Sequence, residues 1–232
     1  ESETDIYIHT LYKNEKSIGT ITDFVCSDLA CFCRMSDLTE PVSFSFSVGV
    51  LGSPRNSVFS VTDYPMHKEK YGVNSSIMVT LRPGAPILRS YACPFEVNHQ
   101  VLGKGAAEII QKEVNEYLLE FGKGHGEFFM VGGPSFKDLD QHVQKLFEQS
   151  TATLLNQTRE YWISFTKSSQ NFGDIIKDKN PDKKELLQAI EDVSVLLKSQ
   201  QGKDGGVLAG HNYNMAYVRD EFGVFRAYLA LG

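Results

Sequence analysis

The spacing of apolar residues changes once along this chain, and that change limits the fold more than any other feature. Up to about residue 134, apolar side chains recur at every second position; beyond it they recur at every third or fourth. The clearest stretch of the first kind is 41–48. There Val42, Phe44, Phe46 and Val48 share one face, and Ser43, Ser45 and Ser47 share the other. β-Branched and aromatic residues at period two make a half-buried strand. Residues 6–8, 17–25, 30–35, 58–61, 76–81 and 87–91 read as further short strands, punctuated by Gly, Pro, Asn and Asp. Short strands with alternating faces predict an antiparallel β-sandwich over residues 1–134.

Residues 104–131 are less decided. Stretch 106–115 fits a helix. Stretches 117–121 and 128–131, separated by Gly122-Lys-Gly-His-Gly126, predict a hairpin with a glycine-rich turn. These glycines are not a phosphate loop, because no Gly-Lys-Ser/Thr follows them.

After Pro134 the pattern is helical. Ser135 with Asp138 three residues on resembles a capping box, and Leu139, Val143 and Leu146 follow at helical spacing. A second helix is predicted over 152–166, with Leu154, Leu155, Tyr161, Trp162 and Phe165 as its apolar residues, and a polar loop over 167–179. Residues 135–179 thus read as a helical linker. From 180 onward Asn180 is the expected N-cap and Pro181 the first helical residue. Leu186, Leu187, Ile190, Val193, Leu196 and Leu197 form the stripe, and Gly202 the stop. A last helix begins near Asp220. It carries Phe222, Phe225 and Leu229 on one side and Val224, Tyr228 and Leu231 on another, which predicts a buried helix. The class is therefore β + α: strands first, then helices.

Composition removes several classes of function. With 22% charged residues, a net charge of −6 and no basic stripe, the chain is not built to bind nucleic acid. No apolar run approaches the roughly 18 residues that would cross a bilayer. The first residues are acidic and no apolar leader follows, which leans toward the cytoplasm. Cys26, Cys31, Cys33 and Cys93 are too few for a disulfide framework. Their C-x4-C-x-C spacing is no standard zinc pattern, and no His lies nearby, so they are expected to be ordinary part-buried thiols and no metal is assigned.

One segment carries chemistry. Gly205-Gly-Val-Leu-Ala-Gly210 is followed by His211-Asn-Tyr-Asn-Met-Ala-Tyr-Val-Arg-Asp220, a glycine-rich connection between two helices, dense in Asn, Tyr, Arg and Asp. Sugar recognition calls for these residue types. Arg offers a planar fork of donors to vicinal hydroxyls, a carboxylate accepts charge-assisted hydrogen bonds, and a Tyr ring packs on a pyranose face. A plainer reading stands beside this one. Asp220 is placed to cap the following helix, Arg219 to pair with Asp220 or Glu221, and Tyr213 and Tyr217 to pack.

From Leu186-Leu-x-Ala-Ile190 and Val193-x-Val-Leu-Leu-Lys-x-Gln200, through Gly205-Gly-Val-Leu-Ala-Gly210, to Asn212-Tyr-x-x-x-Tyr-Val-Arg-Asp220, the chain resembles the start of the catalytic domain of glycoside hydrolase family 15, the glucoamylase family. Thr22-Asp-Phe-Val25 and the strand at 41–48 resemble the β-sandwich of its prokaryotic members, and 135–162 resembles the linker that follows. The resemblance implies a β-supersandwich followed by an (α/α)6 barrel, of which 180–232 would be the first part. It implies an inverting, exo-acting α-glucosidase acting on α-glucosides or oligosaccharides, with no cofactor. Arg219 and Asp220 would hydrogen-bond the terminal sugar, Tyr213 would sit beside it, and Tyr217 stands where the family usually has Trp. Inversion needs one carboxylic acid and one carboxylate base. In the family both are glutamates well downstream, so no catalytic residue is assigned within this chain, and further residues or a second chain would complete the barrel. Glu113, Glu116, Asp138 and Asp140 are expected to be surface residues. A trehalase-type hydrolase, a disaccharide phosphorylase of the (α/α)6 class and a non-catalytic carbohydrate-binding sandwich are the alternatives.

Overall fold

The computed structural model describes residues 1–232 except 2, 48–57, 64, 83–96, 114–115, 134, 170, 203–204 and 208–217. The chain divides into two compact units. One is Ile6–Thr158; the other joins Glu1–Asp5 to Arg159–Gly232.

The first unit is an antiparallel sheet with helices against it. Its strands are β1 (Ile6–Lys13), β2 (Lys16–Val25), β3 (Cys31–Leu38), β4 (Val42–Ser47), β5 (Val58–Asp63), β6 (Ser75–Arg82), β7 (Val97–Glu113) and β8 (Glu116–Gly133), with a short helix, α1 (Pro65–Tyr71), between β5 and β6. They lie in the order β1-β2-β3-β8-β7-β6-β5, with β4 also paired to β8. β1 and β2 are joined by two residues, Asn14 and Glu15, at φ 49° and 65°, the left-handed pair that a type I′ hairpin turn demands. Residues 87–91 and Cys93 lie outside the described residues.

β8 organises this unit. Its second half pairs with β3 from Cys31↔Val131 to Leu38↔Gly124, and its first half pairs with β4 from Val42↔Phe121 to Ser47↔Glu116. Residues 106–115, whose sequence also fits a helix, lie mostly in β7, paired to β8. The expected hairpin turn at Gly122–Gly126 is also overturned. β8 runs through it unbroken, and the chain reverses instead between Glu113 and Glu116, which pair with each other. The glycines serve a corner. Gly105 pairs with Gly126 and Ala107 with Phe121, so one residue of β7 opposes four of β8. Such a bulge bends a ladder without ending it.

Bending lets one strand feed two cores. Phe24, Cys33, Phe129 and Leu102 form a row across β2, β3, β8 and β7, all buried on one face. Helix α2 (Phe136–Phe147) covers that face with Leu139, Val143 and Leu146. It starts where expected: Ser135 Oγ accepts the Asp138 N–H at 3.2 Å and donates to the Asp138 carboxylate. Its approach is close, because a Cβ on Gly133 would lie 2.6 Å from the Leu139 nitrogen. On the opposite face Phe128, Val101 and Leu38 from one side of the corner meet Phe121, Leu119 and Ile109 from the other. Phe44 packs edge-on against Phe121 with ring centroids 6.0 Å apart, and the Arg34 guanidinium sits 5.1 Å from the Phe44 ring. Arg34 is held by a bidentate pair to Asp23 at 2.7 and 2.6 Å. The sandwich character comes from this folded-over sheet. Removing one buried Phe ring of this kind costs about 3–5 kcal/mol.

Outside the corner, His125 lies 3.0 Å from Asp37 and 3.4 Å from Glu127. Burial pulls its pKa down, but the hydrogen bonds and charges of Asp37 and Glu127 outweigh it and raise the pKa above 6.5. A raised His pKa stabilises the fold below the unfolded value, and the contribution is lost as pH rises through the folded value. Proton NMR titration of His125 should therefore give a pKa above 6.5, and Asp37→Asn should lower it. A second expectation concerns the corner. Gly105 has φ +64°, and a Cβ there would lie 2.7 Å from His125 O; Gly124 has φ +105° with nothing within 4 Å. Gly105→Ala should cost about 2 kcal/mol or more, combining overpacking with a left-handed φ, and Gly124→Ala about 1 kcal/mol. Urea midpoints measure both, and equal losses would refute the close approach at Gly105.

Candidate functional site

The second unit holds the segment that the sequence singles out. Helix α3 (Thr151–Ser168) enters it at Arg159, and Trp162 is buried there between Tyr161 and Phe165, edge-on to both. A short 3-10 turn, Phe172–Asp174, follows, then α4 (Lys183–Ser199) and α5 (Val218–Leu231). The start of α4 differs from expectation. Its N-cap is Asp182, and Asn180 lies before the helix with its side-chain oxygen accepting the Asp182 N–H at 3.0 Å. An Asx turn of this kind competes with capping, and here it places Pro181 in the approach.

Apolar exposure is the next difference. On α4 the buried residues are Ser194 and Val195, while Leu186, Val193 and Leu196 of the expected stripe are 42%, 48% and 55% exposed. On α5, expected to be buried, Phe222, Phe225 and Leu229 are 62%, 60% and 67% exposed. Helical periodicity reports which face seeks cover, not what supplies it.

Between α4 and α5 the glycine turn is built tightly. Gly202 N–H donates to Gly206 O at 2.7 Å, Gly205 N–H to Gly202 O at 3.0 Å, and Gln201 Nε2 to Gly205 O at 3.1 Å. Gln201 and Val207 form a β-bridge, and Gly205 has φ +92°, which a side chain would strain. Buried Val207 then donates its N–H to the Glu221 carboxylate in the first turn of α5. Val207 and Glu221 are thus held to each other, and the excursion between them in sequence is residues 208–220.

Arg219 and Asp220 are the second and third residues of α5, beside Glu221. Asp220 is thus inside the helix, which corrects the reading of it as the cap. Acidic residues at this end of a helix are favoured by its dipole. Tyr213 and Tyr217 lie outside the described residues, as do the side chains of Arg219 and Asp220. Sequence reasoning missed Glu221, whose only signal was an acid in a first helical turn.

Other acids have settled roles. Asp138 completes the cap of α2, and Asp140 lies 3.4 Å from His67. A cavity of about 310 Å³ within this second unit is lined by Thr166, Lys167, Asn171, Phe172, Leu187 and Glu191. Burial, with the carboxylates of Glu3 and Asp192, pushes the Glu191 pKa up. In the β unit, Cys26, Cys31 and Cys33 are buried and converge, although their spacing gave no reason to expect it.

No protein-family profile matches the sequence, and no curated protein does. Solved structures do match the fold. One is a bacterial glucoamylase complexed with acarbose: TM-score 0.57, 11% identity, covering 99% of this chain and 39% of that one. Another is a protein assigned as a kojibiose phosphorylase from the human microbiome: TM-score 0.52, 14% identity, covering 84% of this chain and 27% of that one. The chain thus shares the fold of part of these carbohydrate-active proteins and spans well under half the length of either.

Because Glu221 accepts the Val207 N–H, Glu221→Ala should speed hydrogen exchange of the Val207 amide by about tenfold or more, as expected for a lost hydrogen bond to a charged acceptor. Unchanged protection, read by NMR, would separate the turn from α5.

Proposed function

We propose that this chain is the sandwich and first helical portion of an inverting, exo-acting glycoside hydrolase of the glucoamylase type, acting on α-glucosides or oligosaccharides. The observation that carries the proposal is the likeness in fold of 99% of the chain to a glucoamylase. The sequence of the excursion, which has the residues that pyranose recognition needs, adds to it. Arg219 and Asp220 bind hydroxyls of the terminal sugar. Arg supplies parallel donors, and the carboxylate accepts from two hydroxyls. Tyr213 packs beside that sugar, and Tyr217 lines the same pocket. Glu221 of α5 holds the N–H of Val207, the residue just before this segment, so the binding groups start from a fixed base. None of Glu113, Glu116, Asp138 and Asp140 takes the acid or base role. Asp138 and Asp140 are engaged in the β unit, and the resemblance to the glucoamylase family implies that the acid and base are glutamates outside this chain.

A second reading follows from the likeness to a kojibiose phosphorylase. In a phosphorylase, phosphate takes the place of water as nucleophile. Sugar release by the complete gene product from maltose, isomaltose and kojibiose, with and without phosphate, decides between them. Release of β-glucose without phosphate supports the hydrolase. Strict dependence on phosphate supports the phosphorylase. No turnover of any of these disaccharides or of longer α-glucans sinks both. In either enzyme Arg219→Ala and Asp220→Ala should each lower kcat/KM by about 10- to 100-fold, the range for lost charged hydrogen bonds. Unchanged kinetics would remove these residues from the pocket.

A further inference from the structure

Three thiols meet where β2 runs into β3. Cys31 and Cys33 are two residues apart on one strand and so project from the same face. Cys26, one residue past the end of β2, donates its N–H to Cys31 O at 2.9 Å, which sets it across from Cys31. Cys33 Sγ lies 3.6 Å from Cys26 Sγ and 3.7 Å from Cys31 Sγ, and all three sulfurs are within 4.8 Å of one another. Metal–sulfur bonds of about 2.3 Å in tetrahedral geometry hold sulfurs about 3.75 Å apart. Two of the three edges already have that length. The backbone that fixes them is sheet and a short tied loop, with Cys31 N–H donating to Leu29 O at 2.7 Å.

We infer that Cys26, Cys31 and Cys33 bind one thiophilic divalent ion of the Zn2+ class, with its fourth position facing the cavity beside Cys26. That cavity, of about 210 Å³, has Ser27, Asp28, Lys145, Glu148 and Thr158 on its wall and has room for a water or an exchangeable ligand. Among the described residues three protein ligands leave one position open, the pattern of a metal that exchanges or reacts rather than of a closed structural site. Binding replaces three S–H bonds with three metal–sulfur bonds. Three protons leave to solvent, and no electrons move. A divalent ion leaves a net charge of about −1 in the site, and a monovalent one would leave about −2. Asp28 and Glu148 make the larger negative charge costlier, and among the described residues of the wall only Lys145 opposes it, so the divalent ion is favoured. The inference is independent of the carbohydrate reading.

The test is a titration of reduced, metal-free purified protein with Cd2+ under anaerobic conditions, followed by competition for Zn2+ against a coloured chelator. A sulfur-to-cadmium charge-transfer band saturating at one ion per chain, with about three protons released per ion, is expected. Cys26→Ser and Cys33→Ser should each weaken Zn2+ binding by at least about a hundredfold, beyond what loss of an outer contact costs. Cys26 borders the cavity and Cys33 is fully buried, so the first variant covers a folding failure of the second, and circular dichroism reports folding for both. Absence of the band in the wild type overturns the inference. So does a band that survives both variants, or a disulfide joining any two of the three in protein alkylated at lysis.

Discussion

β8 is buried on both faces, and it must turn a corner without losing its ladder. Adjacent residues Phe128 and Phe129 serve different cores, one on each side of the sheet. A strand in that position cannot trade a large side chain for a polar one on either face without leaving a void or a desolvated group. Nor can it break, because β3 and β4 both depend on its edge. The glycines at 105, 122, 124 and 126 resolve the conflict. They let β7 and β8 bend together while the pairs on either side stay in register. Placement of α2 over one face and the meeting of the two halves on the other both follow from that bend.

Much of this was legible in the sequence, and the failures have physical causes. Period-two stretches gave β1 to β4, β5 and β6 because those strands are short and their faces differ in polarity. Ser135 was found as a cap because its hydroxyl does what that residue type does at a helix start. Gly122–Gly126 was misread because glycine marks any departure from regular backbone, and a corner and a turn look alike at that level. The run 106–115 was misread because Ala106, Ala107, Ile109 and Ile110, set in a folded-over sheet, lose the alternation that marks a strand. The thiols were read as ordinary part-buried residues because their spacing matches no standard zinc pattern, whereas strand pairing is what carries Cys26 to Cys31.

The candidate site was legible in a narrower sense. Its residue types and the glycine turn are in the sequence, and the turn is built as such turns must be. What ties Val207 to the start of α5 is the Glu221 carboxylate, and no spacing rule points to it. Likewise the exposed apolar faces of α4 and α5 belong to helices whose pattern asks for neighbours. A fold shared with part of two much longer carbohydrate-active proteins gives that pattern a context.

The two-sided strand has a consequence for how such a protein can change over time. In a sheet with one wet face, a slipped residue turns one layer outward, and selection removes it as a simple loss of core. Here a single-residue insertion between Phe121 and Phe128 would exchange the cores: Phe128 would point where Phe129 had been, and both layers would receive side chains sized for the other. Length variation in relatives should therefore collect at the ends of β7 and β8 and stay out of their interiors. The corner, which looks like the most loop-like stretch of the β unit, would be among its most constant in length.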